Sequence, residues 1–272
     1  MTSNSSARPH AVVTGASSGI GKAFAERLAR DGYDLTIVAR RRDRLEQLAG
    51  GLRSDPGVNV EVVVADLARP ADVHLLEKRL ASDPSLEMLV NNAGFADHMP
   101  FIQLDPDKAE EVIQVQVLAV TRLTRAALPG MLERHKGAII NVSSRLAFSG
   151  PVNIPRMAPT ATYAATKAFV NTFTQILSRE VEGTGVQVQA LCPAVVLTEF
   201  HTRQGMDPKR FPPDIVSTPE DVVQASLAGL RMGEVICLPG MEDPSLFERL
   251  QEDQRRFFEQ SGAGGLAGRY KS

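Results

Sequence analysis

The chain has 272 residues, 43% apolar and 23% charged, with a formal net charge of −2. That is ample material for a large core, and the charge is too near neutral to favour nucleic acid or an anionic membrane surface. No window approaches about 18 uninterrupted apolar residues, the start from Met1 to Arg8 is polar, and Cys192 and Cys237 lack metal-ligand spacing, so the expectation is a cytoplasmic protein with no membrane span, no metal and free, buried thiols.

Apolar runs alternate with helical stretches along the chain. Ala11-Val12-Val13 leads into a glycine-rich turn and a helix over 19–30. Asp34 to Ala39 is the second run, followed by a charged helix through Arg44 and Leu48. Val58 to Val64 is β-branched, and Pro70 suits the first turn of the next helix. Met88-Leu89-Val90 precedes a long helical region over 106–134. Then come Ala138 to Val142, a helix around Tyr163, Val186 to Leu191, a helix over 219–230 and a last strand over 234–238. Seven short, continuously apolar runs separated by helices predict a doubly wound α/β fold, one domain over 1–272 with about seven parallel strands. Such sheets bind ligands at the carboxyl ends of their strands. Residues 1–8 and 261–272 read as flexible tails, and 145–161 and 199–217 as loops on the substrate side.

Thr14-Gly15-Ala16-Ser17-Ser18-Gly19-Ile20-Gly21 lies between the first run and the first helix. Its three glycines permit a tight turn and let backbone N–H groups approach a pyrophosphate at the helix N-terminus. After the second run, Ala39-Arg40-Arg41-Arg42 has no acid to hold a ribose diol, whereas arginine accommodates a 2′-phosphate. The run could be a solvated basic face. Against that, cations at a helix start oppose the macrodipole, and an anion between them relieves it. NADP(H) is therefore expected over NAD(H).

Tyr163 and Lys167 stand one helical turn apart within Thr162 to Phe169. Free tyrosine titrates near ~10, so a phenolate near neutral pH requires a stabilisation of about 4 kcal/mol. A neighbouring lysine cation acts in that direction. A phenol so tuned exchanges a proton with a carbonyl or alcohol oxygen.

These pieces, with Asp66-Leu67 in VADL, Asn91-Asn92-Ala93-Gly94, Asn141 to Ser144 and Pro193 to Thr198, resemble the short-chain dehydrogenase/reductase family over nearly the whole chain. The resemblance implies a Rossmann-type, NADP(H)-dependent oxidoreductase transferring hydride between nicotinamide and a small-molecule carbonyl or secondary alcohol, in a homodimer or homotetramer. It implies Tyr163 as acid/base, Ser144 as the group positioning the substrate oxygen, and Lys167 on the nicotinamide ribose. The coenzyme contacts it implies are Gly15, Ser17, Ser18, Gly19, Ile20, Gly21, Arg40 and Arg41 around the phosphates. Asp66 and Leu67 meet the adenine, Asn91, Ala93 and Gly94 the adenine-ribose side, and Pro193, Val196 and Thr198 the carboxamide end.

The chain departs from the family pattern in three places. Gln116 stands where the family carries an asparagine that holds a proton-relay water. Pro193-Ala194 replaces Pro-Gly, and the loop from Ser144 to Tyr163, with Pro151, Pro155 and Pro159, is longer. The alternatives are a 3-oxoacyl thioester or steroid reductase of the same family, and an NADP-binding sensor with weakened catalysis, which Gln116 alone supports. His98, His135 and His201 read as surface residues. Phe169, Phe173 and Ile176 form a helical stripe, which is core packing or, by the resemblance, a contact with a second subunit.

Overall fold

The computed structural model describes residues 8–54, 57–96, 99–152, 160–202, 211–212, 215–262 and 264–271. The apolar runs become strands β1 (His10–Thr14), β2 (Asp34–Ala39), β3 (Val60–Val64), β4 (Leu86–Asn91), β5 (Gly137–Val142) and β6 (Val186–Leu191). After them come the two-residue strands β7 (Val195–Val196), β8 (Val216–Ser217) and β9 (Ile236–Cys237). Seven strands form one sheet in the order β3-β2-β1-β4-β5-β6-β9, with every ladder parallel. β7 and β8 make a separate parallel pair. The strand order reverses between β1 and β4, and a crevice opens at the carboxyl ends of strands at such a switch.

Continuous apolar runs are required because neighbouring residues of a strand face opposite sides. Val13, Ile37, Val90 and Ile140 enter one core, while Val12, Val38, Leu89 and Ile139 enter the other. The first core is closed by α1 (Gly19–Arg30), α2 (Arg42–Arg53) and α8 (Pro219–Met232), through Phe24, Leu28, Leu45 and Leu227. The second is closed by α3 (Pro70–Ser82), α5 (Val120–Glu133) and α6 (Ala161–Glu180), through Leu76, Leu123, Met131 and Leu177. Each such side chain contributes roughly 1.5–3 kcal/mol by leaving water, and together they hold the crevice rigid from both faces.

The helical region over 106–134 is α4 (Pro106–Ile113), then a π-helical turn over Gln114–Ala119, then α5. A wider turn of this kind re-aims a side chain without ending the helix. The short α7 (Glu199–Thr202) follows β7. Two features were not expected from the sequence: the β7–β8 pair, and α9 (Ser245–Ser261). Residues 1–239 and 240–272 form two compact units, and the second consists of α9 with a 3-10 turn over Gly268–Tyr270. Among the described residues, no helix is long and apolar enough to cross a membrane.

Candidate active site

The crevice is built where the turn after β1 meets the turn after β4. Thr14 Oγ1 donates to the Val90 carbonyl at 3.2 Å and accepts from the Asn92 and Ala93 amides at 2.9 and 3.1 Å. Asn92 Nδ2 returns bonds to the carbonyls of Thr14 and Gly15 at 2.9 and 3.3 Å. Gly15 and Gly19 adopt φ of +68° and +57°, where only glycine is unstrained. A Cβ on Gly15 would lie 2.8 Å from Ala93 Cα, and one on Gly19 would meet the Thr198 methyl at 2.8 Å. α1 starts at Ser18 with no side-chain cap and no acid in its first turn. Its first N–H groups and its positive end are thus left to an external anion. A cradle that any Cβ would fill, with uncapped donors at its floor, fits the pyrophosphate of a dinucleotide.

Of the two arginines singled out, Arg40 is exposed and Arg41 turns onto the cradle. Arg41 Nη2 reaches the hydroxyls of Ser17 and Ser18 at 2.8 and 3.0 Å, and its Nη1 pairs with Glu199 at 3.0 Å. Arg44 binds the other carboxylate oxygen of Glu199. Those two arginines pull the Glu199 carboxyl down to about 2. Asp66 is half-buried and closes its own turn, accepting from the Ala68 amide at 3.1 Å, with Leu67 buried beneath it. Asn91 turns inward instead of toward the crevice. It donates to Thr124 and Asn141 at 3.1 and 2.9 Å, and Asn141 donates on to Thr174 at 3.0 Å, so these side chains bracket the sheet to α5 and α6.

The ends of β5 and β6 fix the reactive helix. Ser143 Oγ donates to the Lys167 carbonyl at 3.0 Å, and Lys167 Nζ donates to the Val142 carbonyl at 2.8 Å. The Arg145 amide donates to the Pro193 carbonyl at 3.0 Å, which holds the Ser144 turn to the segment after β6. Ser144 hydrogen-bonds the Tyr163 phenol, and Lys167 Nζ stands 5.5 Å from the centre of that ring. Both reactive groups are buried, and this corrects one expectation. Desolvation pushes the Tyr163 phenol up to about 12 despite the Ser144 hydrogen bond, and brings the Lys167 ammonium down to about 7. Lysine lowers a phenol only while charged, and burial works against that charge.

Gln116 comes from the π-helical turn, 1% exposed. Its Nε2 donates to the Phe95 carbonyl at 2.5 Å beside Gly94, and its Oε1 is buried with no hydrogen-bond partner among the described residues. Val196 is buried in β7, and Thr198 Oγ1 accepts from the Phe200 amide at 3.2 Å. The Phe200 ring lies 6.1 Å from that of Tyr163. A narrow, mainly apolar cleft beside Tyr163 is lined by Met99, Phe101, Leu104, Val112 and Thr160.

Pro151 is exposed, whereas Pro155, Pro159 and His98 lie outside the described residues. His135 is exposed, and its ring nitrogen meets the Thr184 carbonyl, 49 positions away. Both thiols are buried and free. Phe169 and Ile176 are 37% and 47% exposed, while Phe173 packs partly into the core. Sequence reasoning missed three site residues. Thr14 and Asn92 lay inside motifs already quoted, and Glu199 is 158 positions from Arg41 with no local signal.

The chain matches the family described as short chain dehydrogenase over residues 9–209. The very-long-chain 3-oxoacyl-CoA reductase of Anas platyrhynchos is 36% identical over 235 residues, 84% of this chain and 72% of that protein. This chain spans 60% of the length of its counterpart in Mus musculus. A short-chain dehydrogenase from Sphingobium yanoikuyae in complex with NADPH is 37% identical with a TM-score of 0.90, covering 97% of this chain and 100% of that one. The bulky-bulky ketone specific alcohol dehydrogenase from Comamonas testosteroni is 31% identical with a TM-score of 0.86, covering 97% and 99%.

Proposed function

This chain belongs to the short-chain dehydrogenase family and is an oxidoreductase using a nicotinamide coenzyme between carbonyl and alcohol; from that premise we propose that it favours NADP(H) and reduces a carbonyl bearing a bulky apolar substituent. The observation that carries the chemistry is Ser144 on the Tyr163 phenol, with Lys167 behind the same ring. The coenzyme, when bound, supplies the hydride to the carbonyl carbon. Tyr163 Oη gives its proton to the substrate oxygen, and the Ser144 hydroxyl holds that oxygen in place. The phenolate left behind is stabilised by the charged form of Lys167 and regains a proton from solvent by way of that lysine. Gln116, with its unpartnered buried oxygen, supports that return.

Arg41 on Ser17 and Ser18 supports the coenzyme preference, because a guanidinium there faces a 2′-phosphate rather than a ribose diol. The apolar cleft beside Tyr163 supports the substrate class, with the exposed Phe101 among its lining residues. The Comamonas enzyme is named for bulky ketones and the Anas enzyme for long 3-oxoacyl thioesters, so both kinds of carbonyl belong in the first panel. The test follows NADPH oxidation over that panel, beside direct NADPH binding. Tyr163→Phe should lose turnover by roughly 10²–10⁴-fold and keep its NADPH affinity. A variant that kept most of its activity would remove the acid/base assignment. An unmodified protein that bound NADPH tightly and reduced nothing would instead be a sensor.

A further inference from the structure

The start of α2 already holds an anion, and the chain itself provides it. Glu199 lays one carboxylate oxygen 3.0 Å from Arg41 Nη1 and the other on Arg44 Nη1. The same Arg41 spans the Ser17 and Ser18 hydroxyls, the place where the coenzyme reading puts the 2′-phosphate. Carboxylate and phosphate present the same paired oxygens to a guanidinium, so they contend for one set of donors. Two arginines at the positive end of a helix hold one such anion comfortably.

We propose that Glu199 sets coenzyme specificity by competing with the 2′-phosphate of NADP(H) for Arg41 and Arg44, and is displaced when that phosphate binds. The inference rests on the NADP(H) reading given above. NAD(H) has no such phosphate and leaves the pair in place. Glu199 stays ionised down to about pH 2, so its own charge is constant across working pH. Its neighbours make the displacement visible at the other end of the crevice. Thr198 rests on Gly19 and Phe200 stands against Tyr163, so moving Glu199 away from the arginines shifts Phe200 on the phenol ring.

The competing pairs are partly exposed, at 26% for Arg41, 43% for Arg44 and 37% for Glu199, so their combined effect is modest, about fivefold in affinity. Glu199→Gln keeps the size and removes the charge. Titration calorimetry at fixed salt should find NADPH bound about fivefold more tightly by this variant than by the parent, with NADH unchanged. Equal tightening of both coenzymes would mean a general charge effect and overturn the proposal. Weaker NADPH binding would mean that Glu199 props Arg41 for the phosphate, and would also overturn it. A parent indifferent to the two coenzymes removes the NADP(H) reading and this inference with it. A parent that prefers NADPH by a ratio Glu199→Gln leaves unchanged removes this inference alone. The chain contains no tryptophan, so Phe200→Trp gives a single reporter beside Glu199. Its emission should shift with adenosine 2′,5′-bisphosphate and not with adenosine 5′-monophosphate. No shift, or the same shift with both, overturns the displacement.

Discussion

Replacing Lys167 by methionine tests the balance of burial and charge at the reactive helix. Lys167 is 4% exposed, and its ammonium is brought from 10.5 to about 7 by burial. Below pH 7 the group is protonated in both folded and unfolded chains, and holding that charge inside costs about 5 kcal/mol, the gap between the two values at about 1.4 kcal/mol for each pH unit. Between pH 7 and 10.5 the unfolded chain keeps a proton the folded chain has shed, so this group makes stability rise with pH. From pH 6 to pH 8.5 the cost falls by ~2 kcal/mol. Lys167→Met keeps the apolar stem and removes the titration. Its lost hydrogen bond to Val142 is an offset of about 1 kcal/mol that does not vary with pH. Urea denaturation of the coenzyme-free proteins should show the variant gaining most over its parent at pH 6, the margin shrinking by ~2 kcal/mol by pH 8.5. Tyr163, Cys192 and Cys237, each raised to about 12, are common to both proteins and drop out of the comparison. Parallel stability curves would show that the ammonium is not desolvated, and would restore the expectation of a permanently charged lysine beside the phenol.

Arg41→Ala should weaken NADPH binding by about tenfold, roughly one charge-assisted contact, and NADH binding much less; equal losses in a titration of both would deny the 2′-phosphate contact. Gly21→Ala puts a Cβ 2.5 Å from the Gly15 carbonyl oxygen, so thermal unfolding should show a loss of about 1–3 kcal/mol together with weakened coenzyme binding; an unchanged melting temperature would mean the cradle relaxes freely. The exposed Phe169 and Ile176 on α6 lead us to propose a homo-oligomer; light scattering that returned 29.4 kDa at micromolar concentration would contradict it.

Much of the fold was legible because its demands are local. Pairs such as Ile139 and Ile140 must both be apolar when a strand is covered on both faces, and that shows as an unbroken run. The glycines of the first turn were legible because a positive φ and the atoms a Cβ would meet together favour glycine at Gly15 and Gly19. Tyr163 and Lys167 were legible as a pair from helical spacing, and as a site only from the motifs around them. What escaped depends on distance or degree. The Glu199 pairs join residues brought together only by the completed sheet, and β7 and β8 are too short for any pattern. The π-helical turn has no compositional signature. The spacing of Leu246, Leu250 and Phe257 in α9 was present, but it is diluted by charge. The direction in which the phenol shifts follows from how deeply the fold buries it, which no neighbouring residue reveals.

In the order β3-β2-β1-β4-β5-β6-β9, each strand joins an edge that is already free when it leaves the ribosome. β2 and β3 extend the sheet on one side of β1, then β4, β5, β6 and β9 extend it on the other. No late strand has to part an earlier pair, so the sheet grows outward in the direction of synthesis. The free edge of β1 waits from residue 14 until residue 86 for its partner, the longest interval at which this strand could pair wrongly. The cradle of glycines draws on β1, α1 and the end of β4, all synthesised before the reactive helix. Tyr163, Lys167 and Glu199 all follow β5 in the chain, so a nascent chain that ends at β5 has no acid to offer a substrate.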